Sequence, residues 1–271
     1  MPKRNSARSD TAGAPSRLDL SYLIGWFKVQ NKTDHRQAKQ LAIEYQQEHQ
    51  MAEINPAWSY SRLTSFETCA KKFWHVSVQK DVKEPESDAM RYGNKVHKAL
   101  EKRVGSGTKL PSELSFLEPI AAKFANAPGT KMVEQQLAIT QDFKPTTWFA
   151  KDVWCRAIID LALINNTKAL IVDWKTGKES NDYTQLQLAA SMFFIFNPEV
   201  EEADIMFYWI KSRKPAVKNL KRVDVKHIWT PLVKRVRRYT QAHIDMNFPP
   251  KPSGLCKKHC PVTGCPHHGV G

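Results

Sequence analysis

The segment CRAIIDLALINNTKALIVDWKTGK, residues 155–178, decides how the rest of the chain is read. Two runs rich in Ile, Leu, Val and Ala flank Asn165-Asn166-Thr167, which predicts a tight antiparallel hairpin. With Asn166 and Thr167 as the turn, Asp160 falls opposite Asp173 on one face, their β-carbons about 4.5–5.5 Å apart. Strand alternation puts Lys175 on the face of Asp173 and turns Trp174 away. Gly177 closes the second strand.

Two carboxylates and an ammonium on one sheet face, amid aliphatic neighbours, make a poor core. Like charges directly opposite destabilise a sheet, and buried carboxylates need partners. A divalent cation resolves both difficulties, and paired carboxylates with water suit the hard ions Mg²⁺ or Mn²⁺. Lys175 then holds an attacking water or stabilises charge on a phosphoryl oxygen. The bland alternative is an exposed hairpin with solvated ion pairs.

Working outward, Ser59 or Ser61 caps a helix from Arg62 to about Val78, with Leu63, Phe66, Phe73 and Trp74 as its apolar stripe. A second helix runs from about Asp88 to Arg103 and, past a Gly-Ser-Gly break, a third from about Ser112 to Asn126. Strands are expected at Met132–Thr140, Trp154–Ile164 and Lys168–Trp174. Asn181 caps a helix to about Phe196, Ala203–Ile210 is a further strand, and a basic helix spans about Pro231–Met246. The order implies a mixed α/β (α+β) fold, a central mixed sheet with an antiparallel hairpin, flanked by helices.

The chain has 271 residues, 41 Lys and Arg against 27 Asp and Glu, and a formal net charge of +14. That surplus raises a polyanionic partner above others, nucleic acid first and an acidic membrane second. Five cysteines are too few and odd in number for a secreted disulfide scaffold. The opening MPKRNSARSD leads into no apolar stretch, and the longest apolar run, Leu188–Phe196, is about half a bilayer span. The expectation is an intracellular, cytoplasmic protein with no membrane association. Residues 1–18 read as a flexible basic tail. Residues 19–55 read as a helical appendage of unread role, open to a protein partner, with an aromatic cluster at Tyr22, Leu23, Ile24, Trp26 and Phe27. The core spans 56–248, and 249–271 is a Cys-rich tail.

Five motifs now stand in a recognisable order: SYSRLTSFETCAKKFW (59–74), GNKVHKALE (93–101), the Asp160 strand, DWKTGK (173–178) and QLQLA (185–189). In this the chain resembles the PD-(D/E)XK nuclease superfamily, in particular its RecB-like exonuclease branch, which includes CRISPR adaptation nucleases and phage exonucleases. The resemblance covers about residues 58–270 and implies a restriction-endonuclease-like core. It implies that His97, with Gly93 allowing close approach, is a metal ligand beside Asp160 and Asp173. Lys175 is then the catalytic lysine, the Trp174 carbonyl a further ligand, and Glu134 an acidic residue near the metal. Gln185 matches the glutamine of a Q-x-x-x-Y motif that helps hold the active site and the DNA strand, with Ala189 in place of the tyrosine. From the residues alone, His97 and Glu101 also suit a surface pair four apart on a helix.

Cys256, Cys260 and Cys265 lie in CKKHCPVTGC, and Cys69 lies in the first core helix. Clustered cysteines in an intracellular chain read as metal thiolates. The resemblance implies a [4Fe-4S] cluster on these four, pinning the C-terminal tail to the first helix as a clasp. The relatives' C-x2-C-x5-C spacing is C-x3-C-x4-C here, and His259, His267 and His268 leave a tetrahedral Zn²⁺ site as the alternative, with unliganded thiols third. Cys155 reads as a buried thiol.

Between Lys211 and Arg238 there are eleven Lys or Arg and one acid, Asp224. Such residues give sequence-independent affinity for phosphates, and Lys211, Arg213, Lys214, Arg235 and Arg238 are the expected DNA contacts. Tyr208, Trp209 and Trp229 among them either stack on bases or, as preferred, face the core. The expected activity is Mg²⁺- or Mn²⁺-dependent hydrolysis of DNA ends or single strands in recombination, repair or replication. The alternatives are a non-catalytic DNA-binding scaffold on a nuclease fold and a structure-selective endonuclease.

Overall fold

The computed structural model describes residues 24, 28, 34–53 and 56–270. The expected tail at 1–18 and Tyr22, Leu23, Trp26 and Phe27 lie outside the described residues. The chain divides into two compact units, Met1–Asn55 and Pro56–Gly271, each described by itself. In the first, helix α1 (His35–Glu53) buries Ala38 and Ala42, four residues apart on one stripe.

The second unit is built on a six-stranded sheet ordered β2-β1-β3-β4-β5-β6, with β1 Thr130–Ile139, β2 Pro145–Thr146, β3 Cys155–Asn165, β4 Lys168–Lys175, β5 Glu202–Trp209 and β6 Lys214–Lys221. The β3–β4 hairpin has the register its turn dictates, from Asn165 opposite Lys168 to Leu161 opposite Val172. Asn166 takes φ 54°, the left-handed conformation that asparagine tolerates in a two-residue turn. Helix α6 (Thr184–Phe196) carries the chain across, so β5 lies parallel to β4 while every other neighbouring pair is antiparallel.

Helices cover both faces. One core joins Ile171, Ile205 and Phe207 to Phe193 of α6 and to Leu232 and Tyr239 of α7 (Val225–Ile244). The other joins Leu161, Leu163 and Val172 to Leu100 of α4 (Asp88–Ser106) and Phe124 of α5 (Glu118–Ala125). Two buried faces explain why β3 and β4 read as nearly continuous apolar runs. The fold is the mixed α/β architecture that the order of elements implied.

Four expectations change. The helix expected from Arg62 to Val78 is capped by Ser59 but breaks at Cys69, whose φ −160° and ψ 109° are extended, into α2 (Tyr60–Thr68) and α3 (Ala70–Phe73), followed by a π-turn at Trp74–Gln79. At the break the Lys71 N–H goes to the Pro249 carbonyl and the Lys251 N–H to Cys69 Sγ, so tertiary bonds replace helical ones. The helix expected from Ser112 opens as a 3₁₀ turn, Ser112–Leu117, before α5. Asp182 rather than Asn181 accepts the Thr184 N–H at the start of α6. Strand β6 was not foreseen, because KPAVKNLK reads as charge rather than alternation; it pairs with β5 along its whole length at the sheet edge.

Candidate active site

The hairpin register would next place Asp160 against Asp173, yet the β3–β4 ladder ends one pair earlier. There the Asp160 side chain takes over: its Oδ2 accepts the Trp174 backbone N–H at 2.7 Å. Past this point β3 turns from β4 and takes Trp58 instead, which bridges to Cys155, donates to Trp154 O and accepts from Arg156 N, both at 2.9 Å. The sheet therefore forks, and a cavity of about 1020 Å³ opens in the fork. His97, Glu134, Asp160, Asp173, Lys175 and Gln185 all line it.

The six come from five elements, β4 supplying both Asp173 and Lys175. His97 is on α4, held against the end of β4 because Gly93, one turn earlier, has no Cβ; one built there would sit 3.2 Å from Thr176 Oγ1. His97 Nδ1 lies 3.2 Å from Asp160 Oδ1. Glu134 stands across β1–β3 from Asp160, and the pairing is interrupted between Val133–Leu161 and Gln135–Ile159. Its φ is 50°, an uncommon conformation for a side-chain-bearing residue and one concentrated at functional sites. His97, Glu134 and Asp160 can each offer one ligand atom within 4.8 Å of the others. The site thus has an acidic, histidine-bearing set of the composition that holds a divalent metal ion.

Asp173 and Lys175 follow on β4. Lys175 Nζ is 2.7 Å from Asp173 Oδ2 and donates to Gln185 Oε1 at 3.1 Å. This Oδ2 is buried, and the Lys175 ammonium is its ion-pair partner. Burial and the charge of Asp160 raise the Asp173 carboxyl to about 6, against the opposing pull of Lys175 and His97. Burial and the charges of Asp160 and Glu101 raise Glu134 as well. For His97 burial works downward, but the hydrogen bond and charge of Asp160, the charge of Asp173 and the Trp174 carbonyl outweigh it and raise the imidazole. Several carboxylates sharing the positive charge of Lys175 and His97, one of them raised by burial and by Asp160, fit a divalent cation at this place.

Glu101, which suited a surface pair with His97, instead lines the cavity and pairs with Lys98. Sequence reasoning missed Trp58, Tyr60, Arg62 and Arg156 as cavity residues. Tyr60 donates to Asp182 at 3.2 Å and ties the start of α2 to the start of α6. The only signal for it was its place beside the Ser59 cap.

The other singled-out groups lie outside the cavity. Cys69, Cys256, Cys260 and Cys265 line one small pocket together with His267, His268, Lys71, Lys72 and Lys251. Cys69 Sγ accepts from Lys251 N and Cys256 Sγ from Ser253 N, each at 3.4 Å. Cys155 is buried. Of the basic residues, Lys211, Arg213 and Lys214 stand exposed at the β5–β6 turn. That turn begins where Ile210 donates to the Lys175 carbonyl, so it sits at the reaction end of the sheet. Arg235 is engaged, its Nε and Nη2 gripping Glu67 at 2.8 and 2.6 Å, whereas the Arg238 side chain is 74% exposed. Tyr208, Trp209 and Trp229 are buried, so the aromatics face the core. Among the described residues no helix is long and apolar enough to cross a membrane.

Among curated proteins, none matches the chain. The solved structures that align with it include the following two. One is a Eubacterium rectale protein described as "Putative exonuclease" (13% identity over 76% of this chain and 88% of that one, TM-score 0.44). The other is SSO0001 (15% identity, 84% and 97%, TM-score 0.39). The family comparison spans far more than half the chain: residues 57–266 match the PD-(D/E)XK nuclease superfamily, and the chain therefore belongs to that superfamily, with its restriction-endonuclease-like fold, and is a hydrolytic nuclease.

Proposed function

We propose that this nuclease is a Mg²⁺- or Mn²⁺-dependent deoxyribonuclease, an exonuclease acting on DNA ends or single strands in recombination, repair or replication. The observation that carries the reading is Asp173: a carboxylate with a buried oxygen, 2.7 Å from Lys175 and under the charge of Asp160. Asp160, Asp173, His97, Glu134 and the Trp174 carbonyl would hold the ion. A divalent cation held there supplies an activated water and draws charge from the phosphoryl oxygens. Lys175, fixed by Gln185, orients the nucleophile for in-line attack. Asp160 fixes the end of β4 by accepting the Trp174 N–H, which sets the distance between α4 and Lys175. A reaction centre sunk in a cavity suits a strand end better than a continuous duplex.

Lys211, Arg213, Lys214 and Arg238 supply phosphate contacts, with Arg235 shaping the surface through Glu67. The four cysteines hold a [4Fe-4S] cluster in preference to Zn²⁺. Backbone N–H groups donating to two of the sulfurs, and the lysines that line the same pocket, both favour thiolates. Digestion of 5′- and 3′-labelled single- and double-stranded DNA with Mg²⁺ or Mn²⁺, beside the Lys175→Ala protein, tests the activity. Undiminished cleavage by the variant rejects the assignment, and cutting of circular DNA rejects the exonuclease.

A further inference from the structure

Arg156, Ile158 and Asp160 are alternate residues of β3, and all three line the cavity in the fork of the sheet. Alternate residues share one face and stand about 6.8 Å apart, close to the step between nucleotides of an extended single strand. From the reaction centre to the rim this face therefore presents a carboxylate, an aliphatic side chain and an arginine. Ile158 is 45% exposed, in the middle of a strand whose other aliphatic residues are buried or nearly so. The wall opposite is α4. There Met90, Asn94 and His97 follow one another at helical spacing on the cavity side, and Met90 is 52% exposed. At the rim the Arg156 guanidinium lies over the Trp148 ring, 5.6 Å from its centroid, and donates to the Trp148 carbonyl at 2.8 Å, which fixes the indole in place.

Scattered exposed apolar residues are ordinary. These converge on one cavity, beside the carboxylates, where the described residues leave Ile158 exposed. Duplex DNA would offer them only sugars and phosphates, because its bases are stacked and paired. Unpaired bases offer flat apolar surface, and aliphatic side chains are used elsewhere as wedges that part a base step. The track needs no base-specific donor, so it carries no sequence preference.

Building on the nuclease reading above, we propose that Ile158 and Met90 form an apolar wedge beside the scissile phosphate. Trp148, held by Arg156, is the platform for the next base, so the site takes DNA only as an unpaired strand. Arg156 and Trp148 are positioning residues in this scheme, and Ile158 and Met90 determine specificity.

The test separates base recognition from cleavage. Binding of fluorescein-labelled single strands, the matching duplex, and a strand with abasic positions is measured by anisotropy with the full-length Lys175→Ala protein. Ile158→Thr, which keeps a β-branched strand former, and Met90→Gln, which keeps a helix former, are added singly, with unfolding midpoints as a folding control. The expected result is single strands bound at least about tenfold tighter than duplex. Each substitution weakens single-strand binding by about three- to tenfold and leaves duplex binding unchanged. Abasic positions weaken the parent likewise, and Ile158→Thr adds little to that loss. Equal binding of single strand and duplex, or folded variants that bind every DNA as the parent does, overturns the track. Cleavage by the same two variants carrying Lys175 is scored separately. Base-dependent binding without cleavage under any divalent ion rejects the nuclease reading while keeping the track, and cleavage indifferent to abasic positions does the reverse.

Discussion

Asp160 Oδ2 accepts the backbone N–H of Trp174 at 2.7 Å, a side chain standing in for the strand pairing that ends beside it. Under the proposed mechanism the same carboxylate has a structural and a chemical duty, and substitutions separate them. Asp160→Asn keeps an oxygen acceptor for Trp174, whereas Asp160→Ala leaves a buried N–H unpaired, a cost of about 1–3 kcal/mol. Both variants should lose cleavage, and in urea titration only Asp160→Ala should be less stable by about that amount.

Asp173 is held near 6 by burial and Asp160, so at pH 8 the metal-free fold contains a costly buried charge. The folded value lies above the unfolded one, so this group's stabilising contribution is full below 3.8 and is lost as pH rises through about 6. Asp173→Asn should raise the unfolding midpoint of chelator-treated protein at pH 8. In the parent Mn²⁺ should raise the midpoint, and in the variant that rise should disappear. Differential scanning calorimetry with and without the ion reads both.

Glu134 is in the left-handed region at φ 50°, which costs a side-chain-bearing residue about 1–2 kcal/mol. Glu134→Gly should then be more stable than Glu134→Ala by about 1 kcal/mol. Equal stabilities would mean that the backbone relaxes when the carboxylate is removed.

Arg235 and Arg238 lie one turn apart on α7 and share Glu67, which Arg235 grips at 2.6 Å while Arg238, 74% exposed, stands 3.9 Å away. Arg238→Ala should lower DNA affinity and flatten its logarithmic salt dependence by about one unit, with the unfolding midpoint unchanged. Arg235→Ala should lower the midpoint, because Glu67 loses a two-pronged partner and Tyr60 the cation over its ring.

His243 sits among Phe73, Tyr239 and Phe248, and burial, aided by the charge of Arg62, keeps its imidazole below the ordinary 6.5 although the Tyr239 carbonyl opposes this. Between the folded and unfolded values the unfolded chain binds more protons. The contribution is therefore full above about 6.5 and declines as pH falls toward the folded value. The drop in urea midpoint from pH 7.5 to 5 should be smaller in His243→Phe than in the parent.

The hairpin was legible because its turn residues and its two aliphatic runs agree on a single register, and the register alone brought Asp160 and Asp173 together. What it could not convey is that the ladder stops at Leu161–Val172 and that Asp160 completes it sideways. That depends on Trp58, remote in sequence, competing for the free side of β3. The break at Cys69 was hidden for a similar reason: SFETCAKKFW is compatible with one helix, and only contacts from Lys251 and Pro249 interrupt it. Glu134 reads as an ordinary strand residue, since nothing local requires a left-handed backbone. Ile158 is the opposite case. Its type suggests the interior, and among the described residues it stands exposed in the cavity where the sheet forks.

Strand β6 has one further consequence. Among the described residues it ends the sheet, and an edge strand carries a row of backbone donors and acceptors onto which another chain can add a strand. Its sequence blunts that invitation with Lys214, Lys218 and Lys221, a proline at 215, and Arg213 entering at φ 56°. Charge and proline at an open edge discourage self-association. The lysines here would thus guard solubility as well as touch phosphate, and a Lys214→Thr/Lys218→Thr protein should show concentration-dependent oligomers in light scattering even without nucleic acid.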